Sequence, residues 1–161
     1  FFKKIEYPGG VISVTEMITQ ARGLRRGIYG RCRATFWAHL DVPMMADFVK
    51  KYRSKHNQYP TDWAVIAYDA VYALKQGVEK AGSIDTERVK DAMKGMTVET
   101  TRGQLYFRRI DNQLSCSAYF GQVADDPNYP FPIFHDLLEL KAPDNWRPES
   151  EIIQAREKEK K

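Results

Sequence analysis

Between residues 44 and 94 apolar side chains recur every three to four positions, whereas beyond residue 103 they alternate with polar ones. The first period is that of a helix burying one stripe, and the second is that of a half-buried strand. Met45, Phe48, Val49 and Tyr52 stand at i, i+3, i+4 and i+7 and predict a helix over residues 44–57, with Pro43 at or near its start and lysines on its outer face. "HNQYP" ends it. Thr61 or Asp62 can cap the next helix, residues 62–81, by offering a side-chain oxygen to free backbone N–H groups. Trp63, Val65, Ile66, Tyr68, Val71, Tyr72, Leu74 and Val78 cover most of that helix's circumference, so contacts on more than one side are expected. Gly82 supplies a left-handed terminator, and Asp85 caps a third helix to about Lys94, with Val89, Ala92 and Met93 as its apolar face.

"GQLYFRR" and "LSCSAYFGQV", separated by "IDNQ", read as a β-hairpin. Leu114, Cys116, Ala118 and Phe120 fall on one face, and Ser115, Ser117 and Tyr119 on the other. Upstream, "RGIYGRCRATF" reads as a strand in which Gly27 and Gly30 permit close backbone approach. Residues 11–22 fit either a strand entering a short helix or one amphipathic helix, and "WAHLDVP" reads as a loop. Past Val123 the chain is rich in proline and aspartate. A short strand "LLELKAP" and a polar helix from about Pro148 follow, and no internal repeat is visible.

At 161 residues, 43% hydrophobic and 29% charged, the composition is that of a soluble globular protein of one domain. No apolar run reaches the ~18 residues of a membrane span. The opening "FFKKIEYPGG" has no charged region leading into an apolar one, so it is not a secretory signal, and it has no initiator Met. The expectation is a chain starting downstream of its gene's first codon, either processed or part of something longer. The net charge is +4 and the pI near 9.0, with arginines at 22, 25, 26, 31 and 33. No nucleic-acid-binding motif accompanies them, so a solvated basic face is the preferred reading. Cys32 and Cys116 have no C-x-x-C spacing and no nearby histidines, which argues against zinc; a disulfide and two buried thiols both remain open. No nucleophile elbow, phosphate-cradling glycine loop or H-E-x-x-H motif is present, and His39, His56 and His135 are scattered, so no enzyme, metal or cofactor is expected.

The series "AVIAYDAVYAL", the "AGS-D" helix break, "VKDAMKGM", "TTRGQLYF", "DNQ" and "YFGQV" resembles the C-terminal part of type I periplasmic solute-binding proteins, above all the branched-chain amino acid-binding group serving ABC importers. The resemblance covers roughly residues 24–124. It implies an α/β fold of two lobes joined at a hinge, with the ligand closed between them, and a chain holding only the C-terminal portion. The expected division is residues 1–30 as the end of lobe two, 31–110 as the C-terminal part of lobe one, 111–145 as the return to lobe two, and 146–161 as a helical tail. A missing N-terminal lobe would cover the nearly all-apolar helix 62–81. Asp69, in the middle of that helix, is expected to accept hydrogen bonds in a structural role rather than to touch a ligand.

By the same resemblance Trp63, in the first turn of helix 62–81, lines the ligand's side-chain pocket; the alternative is a tryptophan that anchors the helix start. Trp37 and His39 in "FWAHLD" follow the crossing strand and are the second candidates, for stacking and for a hydrogen bond, against ordinary loop packing; Phe36 is assigned to the core. The implied protein is a periplasmic or otherwise extracytoplasmic monomer that hands a small solute (an amino acid, amide or aromatic acid) to ABC permease subunits and binds no nucleic acid. A ligand-sensing domain of the same fold and a basic domain for nucleic acid or anionic surfaces are the alternatives.

Overall fold

The computed structural model describes residues 12–159. Helix α1, Val14–Thr19, opens with a capping box in which Ser13 and Glu16 bond each other's backbone ends. This resolves the stretch 11–22 as a short helix; Val11 lies outside the described residues. Strand β1, Tyr29–Cys32, leads into a 3-10 turn, Phe36–His39, where a plain loop was expected. The three predicted helices follow. Helix α2 is Pro43–His56, with proline in its first turn; α3 is Asp62–Ala81; α4 is Thr86–Met93. Thr61, not Asp62, caps α3 by accepting from the Ala64 N–H, and Gly82 ends it in the left-handed region at φ 58°. Asp85 caps α4.

The strands depart further from the sequence reading. β2, Thr97–Thr100, pairs antiparallel with β3, Gly103–Tyr106, through the tight turn at Thr101–Arg102. The expected partner of β3 was the stretch after "IDNQ", but that hairpin survives only as one bridge between Phe107 and Leu114. β4, Ala118–Ala124, lies instead between β1 and β5, Ile133–Leu140, in a three-stranded antiparallel sheet. In β4 the buried positions are Tyr119, Gly121 and Val123, the opposite parity from the face led by Ala118 and Phe120. Tyr119 turns inward because its ring packs on the 3-10 turn, which alternation within one strand does not reveal. β5 begins earlier than "LLELKAP", a short helix α5, Ala142–Asn145, intervenes, and the tail is α6, Glu149–Glu159.

The main core joins α1, β1, the 3-10 turn, α2, the start of α3, β4 and β5 around Val14, Met17, Phe36, Met45, Val65, Val123 and Phe134. A smaller core of Ala73, Met96 and Val98 sits beneath α3, α4 and the β2–β3 ribbon. Cys32 and Cys116 are free thiols, and burial pushes Cys32 up to about 12. Gly30 and Gly121 face each other across β1 and β4. A Cβ on either would stand 2.6 Å from Phe134, whose ring fills the space beside Gly30 and whose Cβ fills that beside Gly121. Helix α3 buries Val65, Asp69, Ala73 and Gly77, whereas Trp63, Val71 and Leu74 are 68%, 66% and 55% exposed. The second covered side expected for α3 is therefore not supplied by the described residues.

Candidate functional site

The 3-10 turn is the meeting point of the molecule. Phe36, almost wholly buried, stacks on Tyr59 with centroids 5.6 Å apart and meets Trp37 edge-on at 5.1 Å. Tyr59 in turn touches Tyr129 at 5.6 Å and Phe131 at 5.2 Å, while Trp37 lies 6.3 Å from Phe134. The result is an aromatic cluster drawn from the turn, the approach to α3 and the loop after β4. Such rings hold one another in edge-to-face and stacked pairs that orient them as well as burying them. Trp37 Nε1 is buried there and has no hydrogen-bond partner among the described residues.

His39, half-buried at the end of the turn, sets its ring edge-on to Tyr119 with centroids 5.6 Å apart. Its Nε2 is buried and likewise has no partner among the described residues. Burial, and then the nearby Arg102 guanidinium, hold its pKa below the ordinary imidazole value, against the opposing pull of Asp41, Glu139 and Asp69. The Tyr119 hydroxyl lies 3.4 Å from Glu139 Oε1, which also accepts a 2.6 Å bond from Ser117. Burial and the Glu139 charge push that phenol up to about 12, so it stays a protonated donor at neutral pH.

Beside this group lies the answer to the buried aspartate of α3. Asp69 accepts from the Thr101 N–H at 2.8 Å and from Arg102 Nε at 2.9 Å, and Arg102 reaches on to the Arg33 carbonyl at 3.0 Å. One guanidinium thus fastens the middle of α3, the β2–β3 turn and the end of β1. Asp69 is a structural acceptor, as its position in the helix suggests.

Trp63 occupies the exposed first turn of α3, next to the buried Asp62, which accepts a 3.0 Å bond from Thr15 of α1. Of the three candidates read from the sequence, Trp37 and His39 share one turn, and Trp63 stands on the open face of a different element. Tyr59, Tyr119, Tyr129, Arg102 and Glu139 were not foreseen as neighbours of this turn. They are far from it in sequence, and the only hint was that a buried Asp69 requires a donor. Among the described residues no group of His, Cys, Asp and Glu side chains could hold a metal, and no helix is long and apolar enough to cross a membrane.

The sequence profile of the periplasmic binding proteins matches residues 9–128. The chain belongs to that family. Its α/β fold is that of the type I members: it superposes with a TM-score of 0.71 and 26% identity on an ABC-type branched-chain amino acid transporter protein from Rhodopseudomonas palustris, covering 86% of this chain and 37% of that one. A solute-binding protein of an ABC transporter from the same genus, solved with 3,4-dihydroxybenzoic acid, shares the fold at TM-score 0.67 and 22% identity over 84% of this chain and 36% of its own. A 52-residue stretch, 32% of this chain, is 44% identical to 14% of the leucine-, isoleucine-, valine-, threonine- and alanine-binding protein of Pseudomonas aeruginosa. The relatives in this family are thus solute-binding proteins of ABC transporters, and the chain spans little more than a third of the length of the solved ones it matches.

Proposed function

We propose that this chain is the C-terminal portion of an extracytoplasmic solute-binding component of an ABC importer, which holds an amino acid, an amide or an aromatic acid between two lobes and closes about a hinge. The family match over residues 9–128 carries the reading. Two features of the fold support it. β1 and β4 run side by side in opposite directions, from Tyr29↔Gln122 to Cys32↔Tyr119, as strands must that carry a chain out of one lobe and back into it. The exposed Trp63, Val71 and Leu74 give α3 an apolar seam suited to a second body of protein.

On this reading residues 1–30 end lobe two, 31–110 complete lobe one, 111–145 return to lobe two and 146–161 form the tail. Trp63 is the principal pocket wall, an indole with one N–H to spare, and Trp37 and His39 are secondary contacts from the turn after β1. Delivery is to ABC permease subunits, by a monomer that neither catalyses a reaction nor binds nucleic acid. The test is thermal shift and calorimetry on the full-length polypeptide containing this chain, against a panel of branched-chain amino acids, their amides and hydroxybenzoates. A member of the panel is expected to raise Tm, and Trp63→Ala to weaken its binding roughly 10- to 100-fold, the range of a buried aromatic contact. No shift with any of the panel would reject these solute classes, and unchanged affinity in the variant would remove Trp63 from the pocket.

A further inference from the structure

The crossing ribbon of β1 and β4 and the helices beyond it meet at an imidazole whose Nε2 is buried with no hydrogen-bond partner among the described residues. We propose that His39 makes this joint acid-sensitive: protonating it expels the 3-10 turn Phe36–His39 from its seat on Tyr119 and loosens the hold of the ribbon on α2 and α3. The proposal stands on the joint itself and does not depend on which solute, if any, is bound.

The geometry is specific. His39 Nε2 is buried with no acceptor among the described residues, and the ring is wedged edge-on against Tyr119 at 5.6 Å. The charged and titratable groups around it are Arg102 from the β2–β3 turn, Asp69 from α3, Asp41 from the approach to α2, Glu139 from β5 and the Tyr119 phenol from β4. Arg102 cannot swing away to make room, because Asp69 and the Arg33 carbonyl hold its Nε and one terminal nitrogen. Of the three carboxylates around the ring, Asp41, whose pull is the strongest, is exposed to water, and the other two are already engaged. Asp69 accepts from Arg102 and the Thr101 N–H, and Glu139 accepts from Ser117 and faces the Tyr119 hydroxyl. An imidazolium would therefore carry a buried N–H with no acceptor beside a fixed guanidinium, and burial of that kind disfavours the charged form. Turning outward into water relieves both penalties, and the turn has to move for the ring to do so.

Because the folded protein holds the His39 pKa below its unfolded value, the stabilisation is fully present above about pH 6.5 and is lost as the pH falls through that value toward the lowered folded pKa. The experiment compares the full-length polypeptide containing this chain with its His39→Gln variant, using a change at the exposed His56, His56→Gln, as the control. Urea unfolding and amide hydrogen exchange are followed at pH 7.5 and at pH 5.5. In the wild type and the control the midpoint should fall on acidification, and exchange should rise several-fold in residues 33–41 and 117–120. In His39→Gln both changes should be much smaller. Equal pH responses in His39→Gln and wild type would overturn the proposal. Should His39→Gln not fold, NMR titration of the wild-type imidazole decides: a pKa clearly below the ordinary value upholds it, and an ordinary or raised one refutes it.

Discussion

Asp69 is 1% exposed in the most apolar stretch of α3, and its partner Arg102 keeps only 6% of its side chain accessible. Two charges so far from water attract each other strongly but have given up their hydration, so the pair adds little net stability while its halves are costly to separate. Asp69→Ala should therefore destabilise the chain by about 3–5 kcal/mol, because it strands the guanidinium and leaves the Thr101 N–H unbonded. Replacing both residues together, Asp69→Leu with Arg102→Met, should cost clearly less than the single change. Urea midpoints of the two variants check this; a single change no worse than the double would show that the pair is not isolated from water. At this scale the sequence was informative where chemistry forces a conclusion. A carboxylate among Ala, Val and Tyr had to find donors, and Phe36, assigned to the core, is 1% exposed. It was silent on which donors, since Arg102 lies 33 residues away and looks like any other arginine of a basic chain.

The elements divide by the range of the interactions that define them. Helices α2, α3 and α4 were readable almost to the residue because their signals are local: Pro43 in the first turn, Thr61 and Asp85 as caps, Gly82 as terminator. The strands were not, because pairing is set by what lies across the sheet. β2 went unnoticed, β3 was assigned the wrong neighbour, and the two faces of β4 were told apart without showing which is buried. The decisive contact is Phe134 of β5 lying over the opposed Gly30 and Gly121, which no window along the chain contains. Gly30→Ala should cost about 1–3 kcal/mol by overpacking, since its new methyl would stand 2.6 Å from Cε1 of the Phe134 ring and 2.6 Å from the Ile12 carbonyl oxygen. Adding Phe134→Leu should recover part of the loss if the ring is the obstacle. A double variant as unstable as the sum of its parts, measured in the same denaturation series, would place the fault in the backbone contact with Ile12.

On the scale of the whole molecule, the described residues leave a long apolar face uncovered, the side of α3 bearing Trp63, Val71 and Leu74. The 161-residue chain in native buffer should consequently bind an environment-sensitive apolar dye. Val71→Glu with Leu74→Glu should abolish most of that fluorescence while leaving the urea midpoint within about 0.5 kcal/mol, as expected for exposed positions. Dye binding that survives both changes would mean that the apolar surface lies elsewhere. The resemblance to two-lobed binding proteins came from local motifs and proved sound as to family, whereas the aromatic cluster and the His39 joint depend on segments that only the fold brings together. The pairing of β1 with β4 has a further implication. Cys32 and Tyr119 are partners across the ribbon, so everything between them, the turn, three helices and the β2–β3 pair, leaves the sheet and returns to it at adjacent points. Such an excursion has the form of an insertion. Its side chains nevertheless share one core with Val14, Met17, Val123 and Phe134 of the flanking elements, so a chimaera that carries the excursion should take α1, β1, β4 and β5 with it.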